Sequence, residues 1–139
     1  MKLDHVGIAV GDLEAAIDRY AALLGRPCRK RERVDTEGVE TAFFEAGAGE
    51  AWIELLGATT QDSPIARHVE RRGEGLHHLA FEVEDLEAER DRLLEAGWRF
   101  LSESPRDGAD RKRILFMHPK DSHGVLVELC QSKPDPASP

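Results

Sequence analysis

HVGIAVGDLEA at residues 5–15 returns as HLAFEVEDLEA at residues 78–88. Each copy opens with a histidine, continues as an apolar, strand-like run and reaches Asp-Leu-Glu-Ala seven residues after the histidine. A match of this length is typical of a chain that is built from two similar modules, so the repeat is the first guide to the fold.

Each copy leads into a predicted helix, and three strand-like runs follow each helix. Asp12 and Asp85 are natural N-caps, and Gly25 and Gly97 suit the two helix C-termini. The strand-like runs fall at residues 28–34, 39–46 and 51–57 in the first half and at residues 98–102, 113–117 and 125–130 in the second. The predicted order of elements is therefore βαβββ, twice.

We predict an α+β fold in which two tandem βαβββ modules form a curled mixed sheet around a cleft, with the helices outside. The domain is predicted to cover residues 1–131, with modules at about 1–58 and 74–131. Residues 59–73 form a predicted helical linker, in which Ser63 is the N-cap and Pro64 takes the first turn. Residues 132–139 are predicted to be a flexible tail.

The repeat also carries a pair of potential metal ligands. Glu54 follows His5 by 49 residues, and Glu128 follows His78 by 50 residues. Taken singly, each residue is more typical of a packing or solvent-facing position, but both glutamates lie in apolar runs, where an unpaired carboxylate is costly. Two imidazoles and two carboxylates suit a divalent first-row metal with open coordination positions. We therefore predict that these four residues line the cleft and hold a metal ion.

The repeat distinguishes between two adjacent histidines. Only His78 is in register with His5, and neighbouring residues on a strand point to opposite faces, so His77 is predicted to be a packing or supporting residue. His68, His118 and His123 have no counterpart in the other half, and we expect surface or loop roles for them.

The overall charge disfavours some classes of partner. With 19 basic and 27 acidic residues, the net charge is −8, which disfavours nucleic acid or an anionic membrane as the main partner. Three basic clusters nevertheless suit either a solvated surface or a small anionic ligand, and they lie at residues 29–33, 71–72 and 111–113.

Three features predict a cytoplasmic protein. Cys28 and Cys130 are too few for a disulfide framework and lack CxxC spacing, which indicates a reducing compartment. No apolar run approaches the ~20 residues that span a membrane. The opening MKLDHVGIAV is typical of a strand rather than of a signal peptide.

Four stretches carry a family resemblance: LDHVGIAVGDLEAAIDRY from residue 3, WIELL from residue 52, DSPIARHVERRGEGLHHLAFEVEDLEA from residue 62 and FMHPKDSHGVLVEL from residue 116. With these motifs the chain resembles the vicinal oxygen chelate superfamily and, within it, the methylmalonyl-CoA epimerases. The resemblance implies a homodimer that acts on a coenzyme A thioester in propionate metabolism. It further implies that a metal-stabilised enolate, formed by proton abstraction at C2, interconverts (2R)- and (2S)-methylmalonyl-CoA.

The resemblance also carries expectations about the metal and its ligands. Cobalt(II) is the first expectation, with nickel, manganese and zinc as alternatives. His5, His78 and Glu128 match the family's metal ligands, and Glu54 matches a ligand that is glutamine in some members and glutamate in others.

The resemblance indicates the catalytic bases less directly than it indicates the metal ligands. Some members carry a glutamate, proposed as a base, at the fourth position of a Gly-Val-x-Glu segment, and here Thr41 stands at that position. Glu40 is one residue out of phase and is expected to face the other side of its strand. Epimerisation needs an acid/base group on each face of the planar intermediate. We expect Glu128 first and Glu54 second in these roles, with Glu40 a distant third.

Three other functions use the same architecture. A glyoxalase I-type isomerase (lactoylglutathione lyase) would use a similar metal and enediolate, although the DSPIA…GEGLHH segment argues against it. A non-catalytic ligand-binding protein would not need a complete set of four ligands. A dioxygenase would normally use two histidines and one carboxylate, so Glu54 counts against that class.

Overall fold

The structure, a computed structural model, describes residues 1–136. Its elements are β1 (Lys2–Val10), α1 (Leu13–Leu24), β2 (Lys30–Val34), β3 (Val39–Glu45), β4 (Trp52–Ala58), α2 (Pro64–Arg72), β5 (Gly75–Glu82), α3 (Leu86–Glu95), β6 (Arg106–Asp107), β7 (Lys112–Phe116) and β8 (Val127–Ser132). Short 3₁₀ turns span Asp35–Glu37 and Pro119–Ser122. The α+β class and the twofold βαβββ order are confirmed, with α2 between the two halves.

The helices begin and end where local capping signals predict. The side chains of Asp12 and Asp85 accept hydrogen bonds from the backbone N–H groups three residues later, at 3.1 and 3.0 Å. Ser63 caps α2 in the same way, and Pro64 occupies its first turn. Gly25 ends α1 in the left-handed conformation, with φ of 67°. Each of the three N-caps contributes about 1 kcal/mol to helix stability.

The chain divides into two compact units, and the first is His5–His78. Its strands lie in the order β2-β3-β4-β1, with the first residues of β5 beside β1. β1 and β4 are parallel, whereas β3 is antiparallel to β2 and β4, so the sheet is mixed as predicted. Because side chains alternate along a strand, the two faces carry separate clusters. α1 packs on Val10, Ala42, Phe44 and Leu55, while Ile65 of α2 packs on Ala9, Val39 and Leu56.

The second unit comprises Met1–Asp4 and the described part of the chain from Leu79. Its strands lie in the order β5-β8-β7-β6, with β5 parallel to β8 and β7 antiparallel to its neighbours. Leu86 and Leu93 of α3 pack with Leu115, Met117 and Leu129 on one face. On the other face, Ala80, Ile114 and Cys130 form a small buried cluster.

The strand predicted at residues 98–102 is wrong. Phe100 forms only an isolated bridge to Met117, and the regular pairing begins with Arg106 opposite Ile114. Residues 101–105 therefore lie opposite residues 115–116 and bulge away from the ladder. Pro105 lacks a backbone N–H, and the Ser102 hydroxyl donates to the Ser104 carbonyl, so this segment favours a loop.

The end of the last strand bears on the predicted start of the tail. β8 continues to Ser132, the first residue of the predicted tail, and residues 137–139 of that tail lie outside the described residues. Among residues 1–136, no helix combines the length and the apolar character that a membrane span requires.

Candidate metal centre

Three of the four predicted ligands lie together in the His5–His78 unit. His5 is on β1, Glu54 on β4 and His78 at the start of β5, and these strands are neighbours in the sheet. The Nε2 atoms of the two histidines are 3.1 Å apart. Glu54 Oε1 lies 3.8 Å from Nε2 of His5 and 3.5 Å from Nε2 of His78. All three residues are buried, with exposed fractions of 7, 5 and 5%.

The three separations fit one metal ion. A circle through points 3.1, 3.5 and 3.8 Å apart has a radius of about 2.0 Å, so a single position lies at metal-bonding distance, roughly 2.0–2.2 Å, from all three atoms. Two imidazole nitrogens and one carboxylate oxygen are donors that suit divalent first-row metals. The residues present therefore fit the metal that the sequence predicts.

A glycine makes room for the cluster. Gly7 lies opposite Glu54 in the register of β1 and β4. A Cβ atom at Gly7 would lie 2.2 Å from Cε1 of His78, so the imidazole ring packs directly against the Gly7 backbone. The sequence analysis did not single out Gly7, although a glycine inside a strand is a signal for close approach. The residue at the same position of the second half, two residues after His78, is Ala80. Only the first half therefore has a glycine at this position.

A row of histidines continues from the cluster toward helix α2. Nδ1 of His77 lies 2.9 Å from Nδ1 of His78, and the His77 ring packs edge-on against the ring of His68, with centroids 4.8 Å apart. His77 is not among the three clustered residues, and its ring contacts those of His78 and His68, which agrees with the packing or supporting role predicted for it. His68 lies partly exposed on α2 rather than in a loop, and its ring packs against His77, a contact that the sequence did not predict.

Burial keeps these inner histidines neutral. It lowers the pKa of His78 well below its usual value, and the neighbouring His5 and His77 rings act in the same direction. Burial, followed by the influence of His68, lowers the pKa of His77 to about 4. A metal-ligating imidazole must be unprotonated, so the environment at neutral pH already favours the binding form of His78.

The remaining histidines have the loop positions predicted for them. His118 precedes the Pro119–Ser122 turn, and its Nδ1 accepts a hydrogen bond from the backbone N–H of Lys120 at 3.1 Å. His123 follows the same turn, is exposed and has a φ of 59°.

Glu128, the fourth predicted ligand, lies on β8 in the second unit. It is buried, with 5% exposure, and is paired in register with Ala80 of β5 and Phe116 of β7. Its part in metal binding and in catalysis stays a prediction.

Thr41 and Glu40 lie on opposite faces of β3, as predicted. Thr41 is buried on the Glu54 face, and its hydroxyl donates to the Glu32 carbonyl at 3.4 Å. Glu40 lies on the α1 face, where it accepts a hydrogen bond from Nε of Arg31 at 3.0 Å. Arg31 also donates to Glu14 on α1, so Glu40 belongs to a network on the face opposite Glu54.

The fold and the buried ligand cluster agree with the family comparison. Residues 4–116 match the model of the Glyoxalase/Bleomycin resistance protein/Dioxygenase superfamily. The chain belongs to this superfamily.

Within that superfamily, the chain is similar to methylmalonyl-CoA epimerases. It is 46% identical to the ethylmalonyl-CoA/methylmalonyl-CoA epimerase of Cereibacter sphaeroides, over 94% of this chain and 97% of the relative. The crystal structure of methylmalonyl-CoA epimerase from Mycobacterium tuberculosis has a TM-score of 0.89 and 41% identity, covering 96% of this chain and 89% of that one. A methylmalonyl-CoA epimerase in complex with methylmalonyl-CoA and NH4+ has a TM-score of 0.85 and 37% identity, covering 94% of each chain.

Proposed function

We propose that this protein catalyses the metal-dependent epimerisation of methylmalonyl-CoA at C2. The buried cluster of His5, Glu54 and His78 is the observation that carries the proposal, because its spacing fits one divalent metal ion. The similarity to named epimerases over nearly the whole chain supports the reaction and the coenzyme A thioester substrate. The same similarity favours an epimerase over a glyoxalase I-type isomerase or a ligand-binding protein.

His5, Glu54 and His78 would hold the metal, with Glu128 as the proposed fourth ligand and cobalt(II) as the proposed ion. When bound, a divalent cation supplies Lewis-acid stabilisation of the negative charge that the thioester oxygen gains when the C2 proton leaves. His5, Glu54 and His78 are buried, and electrostatic stabilisation is stronger where less water surrounds the charge.

Glu54 and Glu128 are the proposed acid/base pair. One carboxylate accepts the proton from C2 and leaves an enolate with its negative charge on the thioester oxygen. The other, as a carboxylic acid, returns a proton to the opposite face of C2, which inverts the stereocentre. Glu40 is an unsuitable base, because it faces α1 and is held by Arg31.

The basic clusters differ in their suitability for coenzyme A phosphates. Arg31 is held by Glu14 and Glu40, and Arg113 by Glu87. Arg71 and Arg72 are exposed in the last turn of α2, which favours this cluster as the phosphate contact. We also propose a cytoplasmic homodimer, the assembly that the family resemblance implies.

Proton NMR in deuterated water tests the activity. With methylmalonyl-CoA and the cobalt-loaded protein, we expect deuterium to enter at C2 while the two epimers interconvert. Ethylmalonyl-CoA is the second substrate to test, because the name of the Cereibacter relative includes it. A protein with one bound metal that exchanges neither substrate would contradict the proposal.

Metal analysis tests the site separately from the activity. We expect about one divalent metal per chain, loss of activity after chelation and recovery with cobalt. His78→Ala should lose the metal, whereas the exposed His123→Ala should keep it. A fully active, metal-free preparation would show that the site works differently.

A further inference from the structure

We propose that His77 is a positioning residue that fixes the tautomer and the orientation of the metal ligand His78. The proposal rests on the 2.9 Å contact between the Nδ1 atoms of the two rings and on the proposed metal site. His77 does not face Glu54 itself, so its effect on the site acts through His78.

The tautomer follows from the geometry. His78 presents Nε2 to Glu54 and His5, so a metal in the cluster requires a lone pair on Nε2. The single proton of the neutral ring must then sit on Nδ1. Nδ1–H donates to Nδ1 of His77, which accepts through its own lone pair. A partner for the outer nitrogen of a ligating histidine orients the ring and raises its basicity.

His77 is itself held in place. Its ring packs edge-on against His68, at 4.8 Å between centroids and with an interplanar angle of 78°. The same type of contact relates His77 to His78, at 5.1 Å and 87°. Helix α2 therefore supports the metal ligand through two aromatic rings in succession.

The arrangement belongs to the second histidine of the repeat alone. The residue before His5 is Asp4, whose carboxylate accepts a hydrogen bond from Nζ of Lys112 at 2.8 Å. No histidine takes the position of His77 in the first half, so the two imidazole ligands are expected to respond differently to mutation of the preceding residue.

Two variants of His77 separate hydrogen bonding from packing. His77→Phe keeps an aromatic ring against His68 but has no atom that accepts from Nδ1 of His78. His77→Asn loses the ring but keeps an oxygen at the position of Nδ1, because both atoms are bonded to Cγ. Zinc alone is titrated into the chelator-treated variants in competition with a metal-binding dye. We expect His77→Phe to weaken zinc binding roughly 10–100-fold and His77→Asn to restore most of the affinity.

A measurement on the unmutated protein keeps the proposal testable if His77→Phe fails to fold. In zinc-loaded protein with ¹⁵N-labelled histidine, we expect a slowly exchanging proton on Nδ1 of His78. We also expect a scalar coupling from this nitrogen, across the hydrogen bond, to Nδ1 of His77.

The outcomes distinguish this inference from the proposed function. If the unmutated protein binds zinc but shows neither the protected proton nor the coupling, His77 does not position His78 and the metal site stands. Equal zinc affinity in His77→Phe and the unmutated protein leads to the same conclusion. If the unmutated protein binds no zinc or cobalt, the metal site itself is wrong.

Discussion

At the scale of single residues, the cluster of His5, Glu54 and His78 depends on burying a carboxylate beside two imidazoles. Glu54 is 5% exposed, and removing a carboxylate from water costs several kcal/mol unless charge or hydrogen bonds compensate. Burial lowers the pKa of His78, so that ring supplies no positive charge at neutral pH. A cation at the point shared by the three donor atoms would offset much of this cost.

Gly7→Ala should disrupt the cluster without changing any ligand. The new methyl group would lie 2.2 Å from Cε1 of His78, and the ring must move to avoid it. We expect weaker cobalt binding and a loss of about 1–3 kcal/mol in the free energy of unfolding, measured by titration and denaturation.

Gly11→Ala is the matched control for this change. The nearest heavy atom to its added Cβ is Oε1 of Glu74, at 3.4 Å, which is an ordinary contact. Unaltered metal binding in both variants would show that the His78 ring does not need the Gly7 position.

Glu54→Gln separates ligation from proton transfer. The amide oxygen can still bind the metal, so we expect metal content to be retained. Loss of the acid/base group should slow epimerisation roughly 10²–10⁴-fold, because a positioned acid or base usually contributes that much. NMR in deuterated water should then show exchange in one epimer of the substrate while interconversion stops.

Thr41→Glu added to Glu54→Gln would restore a carboxylate on the same face of the sheet, and we expect part of the activity to return. Normal epimerisation by Glu54→Gln alone would make Glu54 only a ligand. The missing base would then be a residue other than Glu40, because Glu40 is held on the α1 face by Arg31.

At the scale of the elements, local signals predicted the helices better than the edge strand. The caps of α1, α2 and α3 are formed by residues within a few positions of each helix, so they are visible in the sequence. The extent of the bulge at residues 101–105 depends on the pairing of Phe100 with Met117 and of Arg106 with Ile114, which Pro105 alone does not reveal. The contact of His68 with His77 likewise depends on how α2 packs on its unit.

The cap of α2 should matter more than an exposed cap. Ser63 is 3% exposed, and its hydroxyl accepts a hydrogen bond from the Ala66 backbone N–H at 3.1 Å. We expect Ser63→Ala to lower the free energy of unfolding by about 1–2 kcal/mol, because water has little access to the released N–H. Urea denaturation measures the change.

Asp85→Ala is the matched control, because it removes the same type of bond at the exposed start of α3. We expect a loss of about 0.5–1 kcal/mol for it. A smaller loss for Ser63→Ala than for Asp85→Ala would contradict the importance of burial at this cap.

At the scale of the whole molecule, the site could be predicted only because the chain repeats. Single histidines and glutamates carry little information, but their recurrence in both halves predicted His5, Glu54, His78 and Glu128 as ligands, and the first three lie together. Gly7 has no such counterpart, and its role becomes visible only when the His78 ring is located in space.

The stability of the metal-free protein should depend on pH. Burial lowers the pKa of His77 to about 4 and also lowers that of His78, whereas histidine in an unfolded chain titrates near ~6.5. The unfolded state therefore binds more protons in this interval, so stability is complete above about pH 6.5 and is lost as the pH falls toward 4. We expect a slope of up to about 1.4 kcal/mol per pH unit for each histidine, measured by denaturation of chelator-treated protein.

His77→Phe should make this dependence shallower, since one of the two groups is removed. A free energy of unfolding that stays constant between pH 7 and 5 in the metal-free protein would contradict the prediction.

The two histidines of the cluster are also the two ends of the compact unit His5–His78. They are 73 positions apart in the chain, yet their Nε2 atoms are 3.1 Å apart. An ion bound by both would act as a crosslink that closes this long loop. If it also stayed bound in the unfolded chain, it would remove conformational entropy worth about 4 kcal/mol from that state, the effect of a disulfide of the same span. Any ion that binds only the folded unit stabilises it instead by mass action. By either route, metal supply would control the lifetime of the protein as well as its chemistry.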